Sequence, residues 1–543
     1  MTTLKKTAIL IFLLSFNVIF AQAPQKMSYQ AIIRNASGGL VTNSQVGIKI
    51  SILKGTITGN TVYVETQNTT TDVNGLVSVE IGGGSSVSGN FAAINWGNDS
   101  YFIKTETDPD GGSNYTITGT SQLLSVPYAL YAENTKPAGK STVYIRDDIT
   151  NAEAQIQIAE EVGPSTEYIY ITDTTLVVTV NLDAATSLIS LTVTNNSALT
   201  TLTVNGLKKA YDQIAINNNP SLNTLNFNSL KNAKGISIST NPVQAVNFPT
   251  LQKAVITIGS MNSTTTINLP QLTVGGLNIY SIPNLTALNV PNFTNGNVYI
   301  AQTNLSSLLL PSFTSGYLQV VVNQNLTSIS APNYNNAGTS ASFIGGYSGV
   351  IIENNATLTS IALPNLTICY GKVQIKGNAA LLTVSLPTLQ YVTTDMIVND
   401  NQALTNMSTP GLLVSNIYYS GTSLTTVDFS SLNTGGLIEI SNTGIQNLNF
   451  PALVNARFNI VNNPQLITIG IPNLSTVLGN YNAFSTNHLP SSEVNSILNK
   501  MLTVLPASGK DIYLKQSPAA PPTGQGIIDK ATLISTGNTV RTD

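Results

Sequence analysis

Leu285-Thr-Ala-Leu-Asn-Val-Pro-Asn-Phe293 returns as Leu305-Ser-Ser-Leu-Leu-Leu-Pro-Ser-Phe313, Leu358-Thr-Ser-Ile-Ala-Leu-Pro-Asn-Leu366, Leu381-Leu-Thr-Val-Ser-Leu-Pro-Thr-Leu389 and Leu466-Ile-Thr-Ile-Gly-Ile-Pro-Asn-Leu474. The proline position falls at Asn205, Asn228, Pro249, Pro270, Pro291, Pro311, Pro332, Pro364, Pro387, Pro410, Ser430, Pro451 and Pro472, at intervals of 20 to 23 residues with a single interval of 32. So constant a period is the signature of a repeat architecture. Each copy is preceded by a second short apolar–polar–apolar segment and an Asn-containing turn, as in Ile214-Ala-Ile-Asn-Asn-Asn-Pro220 and Phe458-Asn-Ile-Val-Asn-Asn-Pro464. Every repeat therefore reads as two strands and two corners.

Period-two alternation puts Leu, Ile and Val on one face of each strand, and β-branched residues suit that half-buried pleat. One coil of about 21 residues cannot bury its apolar face; stacked coils can, with equivalent strands about 4.8 Å apart. Proline removes a ladder donor and ends the second strand, and Asn and Gly are expected to supply the left-handed backbone of sharp corners. The fold expected is all-β, a two-strand-per-coil β-solenoid over 186–480. Asn335 to Gly349, rich in Gly, Ser and Ala, reads as a loop bulging from the stack.

Composition agrees. Charged residues make up 9% of the 543 residues and hydrophobic ones 42%, against roughly 25% charged in ordinary globular domains. Lys5 and Lys6, the apolar run from Ala8 to Phe20 and the small Ala21 read as a secretory signal peptide over 1–21. That run is shorter than the roughly 18 to 20 residues of a spanning helix, and no later segment reaches that length, so no transmembrane segment is expected after cleavage. The chain is expected outside the cytoplasm, secreted or at the cell surface. Its single cysteine, Cys369, allows no internal disulfide, so an exported chain must rely on a continuous core; flanked by Ile368 and Tyr370, it reads as a buried small hydrophobe. A net charge of −3 without a basic run argues against nucleic acid and anionic membranes as partners.

Open strand edges at the ends of a solenoid invite aggregation unless covered. Residues 147–185 read as a helical amino-terminal cap with irregular first coils, the helix starting at Thr150 or Asn151 and stopping by Gly163. A carboxy-terminal cap over 481–543 comprises a helix from Ser491 to Leu505 capped by Ser491 or Ser492, a short strand near Ile512 to Leu514 and a last helix from about Gly526 to Ser535. Residues 22–135 do not share the period. Alternating strands at Gln45 to Leu53, Val62 to Gln67, Leu76 to Ile81 and Tyr101 to Thr107, with Gly-rich turns, suggest a small β-sandwich, followed by a linker over 136–146. Trp96, the only tryptophan, reads as a packing residue.

The repeat block resembles the receptor L-domain and BspA-like branch of leucine-rich-repeat proteins, which are extracellular recognition and adhesion modules. The proline after the second strand and the lack of helices within repeats favour a straighter, β-helix-like stack over a horseshoe. Ser28-Tyr-Gln-Ala-Ile-Ile-Arg34, Asn74-Gly-Leu-Val-Ser-Val-Glu80, Tyr101-Phe-Ile-Lys-Thr-Glu106 and Leu124-Ser-Val-Pro-Tyr-Ala-Leu-Tyr131 resemble an amino-terminal domain shared by many bacterial secreted surface proteins. Neither resemblance implies a catalytic residue.

The residues offer little raw material for chemistry. Polysaccharide-active β-helix enzymes need clustered carboxylates or a basic residue with a cation. Between Leu199 and Leu474 the acids are Asp212, Glu353, Asp395, Asp400, Asp428 and Glu439, spread over many coils; Asp395 and Asp400 read as turn residues. His488 is the sole histidine, so a triad or zinc site lacks ligands. Asp108-Pro-Asp-Gly-Gly112 reads as a hairpin turn, not a calcium loop. No catalytic residue, metal or cofactor is expected. Tyr299, Tyr317, Tyr418 and Tyr419 lie near strand positions, and alternation predicts exposure for Tyr299 and Tyr418 only, which makes these two the candidate ligand contacts. Recognition or adhesion toward an extracellular glycan or protein is the expected function; a purely structural surface or matrix component and a polysaccharide-active enzyme are the alternatives.

Overall fold

The computed structural model describes residues 26–96, 99–123, 139–338 and 349–543. The signal segment 1–21, the Leu124 to Tyr131 motif and most of the loop expected after Asn335 lie outside the described residues. The chain divides into two compact units, Met1–Lys136 and Pro137–Asp543.

In the first unit Met27–Ile32 pairs antiparallel with Leu76–Ile81. A separate antiparallel sheet runs in the order Ser85–Ser88, Asn60–Thr70, Gln45–Lys54, Tyr101–Asp108, Ile117–Gln122. Both sheets feed one apolar cluster that includes Met27, Ile48, Ile50, Val77, Ile81 and Ile103. Trp96 is part of it, edge-on to Phe91 and Tyr101 with ring centroids 5.5 and 5.1 Å away, so it packs. The fully buried Glu65 accepts hydrogen bonds from Tyr63 Oη, Gln67 Nε2 and the amides of Gly82 and Gly84. Four donors around one carboxylate offset the cost of burying it. The turn after Asp108 is a hairpin loop whose amides at Asp110 and Asn114 donate to the Asp108 carboxylate.

The second unit is a β-solenoid. The coils lay longer strands into one parallel sheet, which gathers 23 strand segments among the described residues, and most add a short strand, such as Thr224–Asn226 or Thr266–Asn268, on the opposite face; the coil of Val414–Ser420 has none. Register is kept coil after coil: Ile214 pairs with Ile236, Ile236 with Ile256, Ile256 with Leu277 and Leu277 with Val298. These inward residues are buried, each contributing roughly 1.5–3 kcal/mol, so alternation and stacking together build one continuous core.

The two corners differ. Proline occupies the second position of a β-turn that the following apolar residue closes, as when Leu251 N–H donates to Phe248 O at 3.4 Å or Phe293 N–H to Val290 O at 3.3 Å; its fixed φ suits that position. At the other corner the left-handed residue is of many types, including Asn195, Thr240, Gln302, Val322, Gly377 and Asp400, so Asn and Gly are not its rule. The Asn that follows has another task. Asn196 N–H and Nδ2 both donate to Asn219 Oδ1, at 3.1 and 2.8 Å, and Asn219 repeats this toward Asn241. Each amide also donates to a strand carbonyl of the preceding coil, Asn219 Nδ2 to Val193 O at 3.0 Å. Asn323, Asn355, Asn378 and Asn401 form a second run, and Asn463 and Asn487 a third. All are buried. Thr174, Thr303 and Thr443 open the three runs, each donating N–H and Oγ1 to the first Asn.

Two expected boundaries shift. Thr142–Arg146, within the stretch expected as linker, pairs in parallel with Tyr168–Thr172 and opens the large sheet. At the other end Tyr481–Ala483, Asp511–Tyr513 and the unexpected strand Thr539–Arg541 prolong the same sheet. The helices close the ends with side chains. Asn151–Glu161 starts at Thr150 in a capping box with Glu153. Asn151 Oδ1 accepts the amides of Val178 and Thr179, and Gln157 Nε2 donates to Tyr144 O. Helix Ser491–Thr503 begins after Pro490 with no side-chain cap, not at a serine cap; its Glu493 accepts the amide of Ile469 at 3.0 Å. Groups that an edge strand would leave unpaired are thus answered at both ends. Cys369 is buried, and burial pushes its thiol up to about 12.

Candidate ligand-binding surface

Because strands stack in register, outward side chains form rows along the solenoid axis. One row runs Tyr144, Tyr170, Thr192, Ala215, Ser237, Thr257, Asn278, Tyr299. It continues through Gln319, Ile351, Gln374, Ile397 and Tyr418 to Glu439 and Asn459. Tyr299 and Tyr418 therefore share a row but sit five strands apart, about 24 Å. They cannot hold one sugar ring between them. Both are half-buried.

Each has its own surroundings. Tyr299 leans on Tyr280 with ring centroids 6.5 Å apart. The Tyr280 ring lies over Gly259, where an added Cβ would come 2.5 Å from Cζ; glycine there lets the ring lie flat. Tyr418 has Ile397 and Glu439 as row neighbours, and burial, then Asp395, then Glu439 raise its phenol above the ordinary value. Tyr419 points inward and is buried, as alternation requires. Tyr317, which was not among the tyrosines expected to be exposed, is half-buried as well, in step with its buried neighbours Gly316 and Leu318. Gly316 just before it adopts φ +130°, and an added Cβ would lie 1.6 Å from Gly296 O; the strand is interrupted between Ser315–Gly316 and Leu318–Val321, yet the alternation carries on through the break.

Tyr144 and Tyr170 were not among the expected contacts. They stack at 5.1 Å with an interplanar angle of 12°, and Tyr144 is 53% exposed. Val143-Tyr-Ile145 and Ile169-Tyr-Ile171 carry the apolar–polar–apolar signal, but they precede the regular repeats. This pair is the most open aromatic platform of the row.

The acids do not gather. Asp212 pairs with Lys234 at 2.9 Å, Glu353 accepts from Gln374, and Asp428 accepts the Ser430 amide. Asp400 occupies a left-handed corner, but Asp395 is in the strand Tyr391–Asn399 rather than a turn and accepts from Asn416 Nδ2. Asp395 and Glu439 are two strands and two residues apart, about 12 Å between backbone positions. His488 is exposed. No group of three or more His, Cys, Asp or Glu among the described residues is placed to hold a metal ion, and no helix among them is long and apolar enough to cross a membrane.

Residues 28–120 match a domain of unknown function, DUF8740. No curated protein sequence matches the chain. Among solved structures, YopM from Yersinia enterocolitica WA-314 matches at 17% identity over 73% of this chain and 91% of that one, with a TM-score of 0.27. At that score the likeness bears on neither fold nor function.

Proposed function

We propose that the chain is a secreted or cell-surface recognition protein that binds an extracellular glycan or protein through the outer surface of its solenoid. The observation that carries this reading is the large parallel sheet, whose in-register rows offer uncharged hydrogen-bonding side chains and, at separate rungs, the tyrosines Tyr144, Tyr170, Tyr299 and Tyr418. Aromatic rings with polar neighbours suit both sugar faces and protein partners. The signal-like amino terminus and the resemblance of the repeat to BspA-like and receptor L-domain modules point to the cell exterior.

The test is an array of glycans and surface proteins probed with the purified chain, with product analysis on each glycan. Saturable binding without cleavage, weakened by Tyr144→Ala or Tyr299→Ala, is the expected outcome. Cleavage would overturn the reading in favour of an enzyme, and uniform silence would favour a structural component.

A further inference from the structure

The repeat block from 186 to 480 carries eight Lys and Arg, and five of them, Lys208, Lys209, Lys231, Lys234 and Lys253, fall within 46 residues alongside a single acid, Asp212. In sequence they fall in three groups 22 and 19 residues apart, and no run of positive charge is visible. Stacking brings them to one corner. Lys231 N–H donates to Lys208 O at 2.9 Å, and Lys253 N–H to Lys231 O at 3.3 Å; Lys209, Asn232 and Lys253 are register partners on successive strands. All five side chains are exposed. Asp212 answers Lys234 at 2.9 Å, which leaves Lys208, Lys209, Lys231 and Lys253 with no ion-pair partner among the described residues. The rest of the block, 254 to 480, has three cations against five acids, so this ridge is a local positive feature on a nearly uncharged solenoid.

The ridge has an aromatic neighbour. Tyr211 is 56% exposed, and Lys209 Nζ stands 4.1 Å from its ring centroid. Tyr211 forms one side of an open groove of about 620 Å³ whose other walls include Pro164, Glu167, Ser187 and Ile189. Glu167, the acid of that groove, accepts a hydrogen bond from Ser141 Oγ.

We propose that this ridge binds a linear anionic polysaccharide, one bearing carboxylate or sulfate at regular intervals, laid along the solenoid axis. Three features select that class. Lys208 and Lys231 start from adjacent rungs and Lys209 and Lys253 from rungs two apart, at about 4.8 Å per rung, which suits a polymer with charge recurring along its length. Lysine is a flexible point charge that suits carboxylate and sulfate without demanding a bidentate geometry. Tyr211 beside the lysines supplies an apolar face for a sugar ring, while the neighbouring Asn232, Gln252 and Thr273 offer hydrogen bonds to hydroxyls. A protein partner would call for a desolvated apolar centre, whereas the ridge presents five exposed lysines around the exposed ring of Tyr211. The proposal rests on the recognition reading above and narrows it to one surface and one ligand class.

The experiment is titration of the purified chain with polygalacturonate and with heparin, beside neutral laminarin, polyglutamate and single-stranded DNA, at low and physiological salt. Both acidic glycans are expected to bind and laminarin not to. The quadruple variant Lys208→Gln, Lys209→Gln, Lys231→Gln, Lys253→Gln should weaken them at least about tenfold at low salt, with a flatter salt dependence. Tyr211→Ala should weaken the glycans and leave polyglutamate unchanged, a readout that charge alone does not give. Lys372→Gln with Arg457→Gln should change nothing, and circular dichroism checks that all variants fold. Glycan binding untouched by the quadruple variant overturns the ridge while leaving the recognition reading intact. Equal binding of polyglutamate or DNA with a silent Tyr211→Ala reduces it to unselective charge and overturns it too. If neither acidic glycan binds, the ridge proposal falls, and the array of proteins and neutral glycans decides the broader reading separately.

Discussion

The corner that follows the large sheet exists in two chemical versions. In the coils of Asn323, Asn355, Asn378 and Asn401 a buried amide fills it and relays hydrogen bonds from coil to coil. In the coils of Met261 and Ile282 the same inward position is apolar. The left-handed residue just before it is kept in both, Val322 and Asn354 in one, Ser260 and Ser281 in the other. What changes is the acceptor. Asn323 N–H donates to the next side chain, Asn355 Oδ1, whereas Met261 N–H donates to the next backbone, Ser281 O at 3.2 Å. The strand Val274–Ile282 accordingly runs through to the corner. The lesson is that a corner can be closed by a side-chain relay or by the backbone alone, because a buried polar group is cheap only when every bond is made.

The largest effect expected is on the relay itself. Asn355→Leu removes the acceptor of Asn323 N–H and Nδ2 and the donor to Val320 O and Glu353 O. With roughly 1–3 kcal/mol for each buried group left unsatisfied, about 3 kcal/mol of stability should be lost in denaturant unfolding. Met261→Leu, a swap of similar volume in the apolar version, should cost less than about 1.5 kcal/mol. Equal losses would mean that the two corners differ in name only.

A second, smaller effect concerns the reverse exchange. Met261→Asn alone buries an amide without a partner in the following coil and should cost about 2 kcal/mol. Adding Ile282→Asn supplies that partner and reaches Thr303, the head of the next run. The double variant should therefore be more stable than the sum of the singles by about 1 kcal/mol, measured as a double-mutant cycle. Strict additivity would break the idea that neighbouring coils share one relay.

What the sequence makes legible follows from the range of each signal. The inward rows and the proline turn are local: Ile236-Ser-Ile238 alternates, and Phe248-Pro-Thr-Leu251 is a four-residue turn. The asparagine relay is not local. Recurring Asn is plain in the repeats, but Asn462 and Asn463 are adjacent and do different things, one left-handed and one bonded to Asn487 in the next coil. The lysine ridge depends on register in the same way, since Lys209 and Lys253 are 44 residues apart in sequence and two rungs apart in the sheet. For the tyrosines, alternation gives the face but not the spacing. Only the coil count shows Tyr299 and Tyr418 to be about 24 Å apart, and Tyr144 and Tyr170 precede the regular repeats, outside the periodic signal.

The smallest effect tests a coil that fits neither version. Between Asn401 and Thr443 the corner residue is Thr422, buried, with its Oγ1 lacking a hydrogen-bond partner. Its hydroxyl is too short to continue the relay from Asn401, and the run beginning at Thr443 starts afresh. Thr422→Asn places an amide where Asn378 and Asn401 place theirs, able to receive the Asn401 amide and to donate toward the strand carbonyl of the preceding coil. One orphaned group is removed and new bonds are made, against the extra volume in a packed corner. A gain of about 1 kcal/mol is expected, with slower amide exchange at Asn401. A loss instead would place the limit at the space around residue 422, and the break between the second and third runs would then reflect packing at that coil rather than a missing amide.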